Sequence, residues 1–147
     1  MYNPYDFNFS TRDWCVSDIV KRLPTLSLTY TPRCSWDLTT SSRFIESLLI
    51  RIPLDKVWIE AVGNDKYELI DGHWRVAVLQ NYLSDVFQLE GLEYLVEPEG
   101  LSFNQLPRHL QRRLEETSIG VVVIESGTPK TIRDSLIARV LTRPGTS

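Results

Sequence analysis

The sequence predicts a small α/β (α+β) domain, a mixed β-sheet of a few strands packed with four or five helices. Three observations carry this. Apolar residues recur at helical spacing in residues 16–23, in 39–50 and after His73. Two β-like runs, 57–62 and 66–70, flank the turn residues Gly63, Asn64 and Asp65 and read as a hairpin. The β-branched run Val121-Val122-Val123-Ile124 reads as the most buried strand.

In order, the chain opens with residues 1–15, an extended arm bearing Tyr2, Tyr5, Phe7 and Phe9. A domain over 16–142 follows, and 143–147 form a frayed tail. Val16, Ile19, Val20 and Leu23 share one face of a short helix that Pro24 ends. Leu26, Leu28 and Tyr30 alternate with Ser27 and Thr29, the pattern of a half-buried strand. A loop with Arg33 and Trp36 leads to a helix over 39–50, with Phe44, Ile45, Leu48 and Leu49 inward. After the hairpin, a helix runs to about residue 83. Residues 85–100 alternate apolar and acidic side chains and read as a loose hairpin turning at Glu90-Gly91. Ser102 and Gln105 have capping-box spacing. Pro107 suits the first turn of a helix reaching about 116. Thr128 is the expected N-cap of a last helix through about 141.

A length of 147 residues suits one domain, and 42% hydrophobic with 24% charged residues is ordinary for a globular protein. The net charge of −3 gives no global attraction to nucleic acid or an acidic membrane. No apolar run approaches the roughly 20 residues that span a bilayer. Residues 1–7 lack the basic and apolar regions of a signal peptide, so a cytoplasmic location is expected. Cys15, Cys34, His73 and His109 have no metal-ligand spacing, and no metal site is expected from them. Both cysteines read as small buried or half-buried residues, not a disulfide. Arg108, Arg112 and Arg113 share one face of the 106–116 helix. That face is either a solvated one or a patch for a phosphate backbone.

The organising stretch is residues 67–79, a strand, the corner Asp71-Gly72, and a helix. The first N–H groups of a helix lack internal partners and its dipole is positive there, so such a corner favours an anion. Arg75 falls in the first turn and adds a fork of donors. The plainer reading stands beside this one: Asp71 is an N-cap, Gly72 relieves the corner and Arg75 is solvated.

The order of motifs resembles the ParB/sulfiredoxin-like fold, and most closely the branch with an Asp-Gly-Gln-Gln-Arg motif that heads GmrSD-type modification-dependent restriction systems. The matching segments are Arg33-Cys34-Ser35-Trp36 and Ser42-Arg43-Phe44-Ile45-Glu46-Ser47-Leu48-Leu49, followed by Ile70-Asp71-Gly72-His73-Trp74-Arg75. They continue with Phe103-Asn104-Gln105-Leu106-Pro107, Gln111-Arg112-Arg113-Leu114 and Val121-Val122-Val123-Ile124. The resemblance implies a pocket for a nucleoside triphosphate with Mg²⁺, in a phage-defence or mobile-element setting. In that pocket Asp71 would bind the metal or orient a water, Gly72 would let the backbone approach, and Arg75 would neutralise phosphate charge. Arg33, Arg43 and Glu46 would complete the pocket. His73 and Trp74 stand where the branch has two glutamines. His73 would act as acid or base or bind phosphate when protonated, and Trp74 would stack on a base or pack in the core. Three functions follow as expectations. One is a triphosphate-binding module that hydrolyses its ligand or only holds it. The second is a degenerate interaction subunit, partnered by a separately encoded nuclease or another protein. The third is a DNA-binding module.

Overall fold

The computed structural model describes residues 8–24, 37–64, 66–125 and 128–142. Four strands form one mixed sheet: β1 (Phe9–Cys15), β2 (Val57–Gly63), β3 (Lys66–Asp71) and β4 (Ser118–Ile124). Their spatial order is β1-β4-β2-β3. β4 lies antiparallel to β1 and parallel to β2, and β2 and β3 form the expected antiparallel hairpin. The helices are α1 (Val16–Arg22), α2 (Leu38–Ile50), α3 (His73–Leu83), α4 (Arg108–Glu116) and α5 (Lys130–Thr142). A 3-10 helix at Phe103–Gln105 carries the expected capping box between Ser102 and Gln105.

β4 is central because its Val-Val-Val-Ile run can be covered on both faces. Ile119, Val121 and Val123 enter the main core, while Val122 and Ile124 are buried outside it, as the two-residue period of a strand requires. Val57 and Ile59 of β2 join the main core. Glu60, the next residue, lies on the opposite face and pairs with Arg133 of α5 through two carboxylate contacts. Helix α5 therefore covers the second face, where Ile132 and Val140 are buried. Helices α1 to α4 pack against one another around the main core.

Two expectations change. Residues 9–15 are not an arm but an edge strand, paired from Phe9↔Ile124 to Cys15↔Ser118. Only Trp14 on that strand is buried, so no apolar alternation marks it in the sequence. Residues 1–7, the expected strand at 26–30 and the tail at 143–147 lie outside the described residues. Residues 85–100 form no hairpin. They make a loop closed at its neck by Leu89 and Gly100–Leu101 backbone bonds of 2.7 and 3.0 Å. Carboxylates take the place of the missing partner strand. Glu46 of α2 accepts from the N–H groups of Glu93, Tyr94 and Leu95 at 3.0, 2.8 and 2.7 Å. Glu99 accepts from Gly91 and Leu92 at 3.2 and 3.0 Å. Finally, the Thr128 hydroxyl donates to Asn8 and Glu125 carbonyls, tying α5 to the sheet. Cys15 is a half-buried free thiol, as expected, and Cys34 lies outside the described residues.

Candidate functional site

The corner begins where β3 ends. Asp71 is the last strand residue and not the N-cap, a position taken by Gly72 with φ 103° and ψ 23°. The left-handed region suits glycine, which has no Cβ to meet the carbonyl. A Cβ added at Gly72 would lie 3.1 Å from Arg75 Nη2 and 3.3 Å from a Val57 methyl. The guanidinium of Arg75 is therefore folded over Gly72. It donates from Nη1 to the Asp55 carbonyl and lies 3.8 Å from Asp71 Oδ2. The Asp71 side chain has no exposed surface, and that of Arg75 is 11% exposed. Gly72→Ala is expected to destabilise the fold by about 2 kcal/mol, from the unfavourable φ and the tight contact with Val57. Chemical denaturation checks this; an unchanged midpoint would show that Arg75 and Val57 yield freely.

Helix α3 is buried almost all round, which marks a central helix and not a surface one. Trp74 is 3% exposed and packs in the interior, so the expected base-stacking face is not on the surface. His73 is half-buried. Burial pushes its imidazole below the ordinary value, against the upward pull of the Asp71 carboxylate. A neutral imidazole brings no charge to a phosphate.

The remaining matched residues have other partners. Arg43 donates from Nε to the Gly91 carbonyl at 3.0 Å and pairs with Glu93 at 3.0 Å. Glu46 is buried beneath the same loop, with both carboxylate oxygens accepting backbone N–H groups. Burial disfavours its charged form, but the three backbone donors, helped by Arg43, outweigh that and hold the carboxyl below its ordinary range. Arg43 and Glu46 thus fasten the 85–100 loop, while Asp71, Gly72 and Arg75 form a separate group with Asp55 and Val57. Arg33 and Trp36 lie outside the described residues.

Searches against protein-family models, curated proteins and solved structures find no match.

Geometry alone therefore decides what the sites offer. A triphosphate with Mg²⁺ needs open donors and an accessible carboxylate. In this arrangement Asp71 is covered and Arg75 is turned back onto Asp55, so the corner does not fit that group. Among the described residues no cluster of three His, Cys, Asp or Glu side chains could hold a metal ion. No described helix is long and apolar enough to cross a membrane.

Two features escaped the sequence reading. One is a cleft of about 670 Å³ formed by Leu38 at the start of α2 and the ends of the 85–100 loop. The other is Arg51, which follows α2 and lines a second cleft with the arginines of α4. The only sequence signal for the latter was an arginine immediately after a helix, where glycine is usual.

Proposed function

We propose that the chain is a ParB-like interaction subunit whose corner serves the fold and not catalysis. The 85–100 loop is its docking element, and a protein partner with a basic, apolar segment is the occupant. The family and the defence setting rest on the ordered sequence landmarks.

The observation that carries this reading is the acid-rimmed groove at the loop. Its walls include Leu38, Val86 and Phe87, with Asp85, Glu90 and Glu99 beside them. The segment 85–100 holds five acidic residues and no lysine or arginine. It is irregular yet fixed from beneath by Glu46, and it displays Tyr94 at 70% and Val96 at 87% exposure. Exposed apolar residues on a held loop, with one sign of charge around them, match a partner of opposite sign.

The test is co-purification with candidate subunits, a separately encoded nuclease first among them, followed by reconstitution from purified components. A partner that binds the native chain and is lost with Val86→Arg/Glu90→Arg, in protein shown to be folded, supports the reading. Retention by that variant would overturn it. So would calorimetric binding of a common triphosphate with Mg²⁺ that Arg75→Ala abolishes without unfolding the chain.

A further inference from the structure

We propose that the cleft between the end of α2 and α4 binds the phosphate backbone of a double-stranded nucleic acid. The cleft has a volume of about 590 Å³ and is lined by Arg51, Arg108, His109, Arg112, Arg113 and Glu116. Arg108 and Arg112 are one turn apart and so lie on the same face of α4. Arg51 comes from a different element. The two elements are tied together by Arg113, whose Nε donates to the Leu49 carbonyl. Four guanidinium groups are thereby gathered around one opening, with Glu116 the single carboxylate in its lining.

Ion pairs occupy most of the described arginines outside this cleft, while Arg22 lies over the Trp14 ring. Arg12, Arg43, Arg75 and Arg133 each lie against a carboxylate. Among the described residues, Arg51, Arg108 and Arg112 are in no ion pair. A concentration of like charge in a chain of net charge −3 repels itself, and a phosphate row would relieve it.

Arg51 supplies a second, independent observation. It has φ 68° and ψ 42°, and its N–H and that of Ile52 bond back to Leu48 and Ser47. This is a Schellman ending, whose left-handed position favours glycine. Backbone strain of this kind gathers at functional sites, and here it places a guanidinium at the cleft. The lining contains no Phe, Tyr or Trp, and its one ring, the imidazole of His109, lies 3.5 Å from the Glu97 carboxylate. Single-strand binders rely on aromatic stacking, so an open arginine cleft without it suits a duplex backbone read without regard to base sequence.

The test is fluorescence anisotropy of the full chain with a labelled mixed-sequence DNA duplex of about 20 base pairs, across a salt series. Three phosphate contacts give a log–log salt slope of about −2.7, so affinity falls about 40-fold between about 50 and about 200 mM salt. Arg108→Ala/Arg112→Ala is expected to reduce the slope to about −0.9. Arg51→Gly is expected to reduce it by about 0.9 while keeping or raising Tm, an outcome that a purely structural arginine would not produce. Four results would overturn the proposal: no duplex binding at low salt by folded protein, a slope unchanged in the variants, stronger binding to the single strand, or binding of an acidic phosphopeptide in place of DNA. The groove variant Val86→Arg/Glu90→Arg should keep duplex binding, which separates this site from the docking groove.

Discussion

Glu46→Ala is expected to unfold the 85–100 loop and to destabilise the domain by roughly 4 kcal/mol. The substitution removes a buried carboxylate that accepts three backbone N–H groups. Each charge-assisted bond contributes about 1.5–3 kcal/mol, and each N–H left buried and unpaired costs about 1–3 kcal/mol, with part recovered as the loop opens to water. Glu46→Gln keeps the shape but replaces one acceptor oxygen with a donor, so it is expected to lose about half as much. Urea unfolding measures both. Equal stability of Glu46→Ala and the native chain would mean that the loop is held by its apolar contacts alone. The same carboxylate makes the loop sensitive to acid. Its folded-state pKa lies below the unfolded one, so its stabilisation is complete at neutral pH. It is lost as pH falls below about 4.3 and through the lower folded-state value. Stability should therefore decline steeply in that window, and the decline should be shallower in Glu46→Gln.

Arg75→Ala is the second large effect, and it separates the two readings of the corner. The guanidinium sits beside a fully buried Asp71 and holds the Asp55 carbonyl. Removing it leaves a buried carboxylate without its neighbouring cation, a change that typically costs about 3–5 kcal/mol. A fall of that size in unfolding free energy is expected, together with partial recovery in Arg75→Ala/Asp71→Asn, where the buried charge is also removed. If Arg75→Ala leaves stability unchanged, the residue is not a structural clamp. The corner would then stand as a site for an external anion.

Much of the layout is legible in the sequence. The hairpin, the β-branched central strand and the amphipathic helix over 39–50 were marked by periodicity, because each buries a definite face or both faces. Strand β1 was not legible, because its pairing uses backbone groups common to all residues and only Trp14 is buried. The 85–100 loop imitated a hairpin because its acidic residues alternate with apolar ones. One of those acids, Glu99, accepts from backbone N–H groups within the loop, while the buried acceptor that holds 93–95 comes from α2, more than 40 residues earlier in the chain.

The sequence by itself determined the mixed α/β class, the strand–corner–helix at 67–83 and the arginine face of α4, since these depend on local spacing and residue type. Tertiary structure alone decided what the charged residues face. Glu46 and Arg75 had the composition of a ligand pocket, yet one fastens a loop and the other closes over Gly72. Arg51 gave no helical or strand pattern at all, yet it joins Arg108, Arg112 and Arg113 at one cleft. The physical reason is that a charge takes its role from its partner, and partners distant in the chain meet only when the core brings them together.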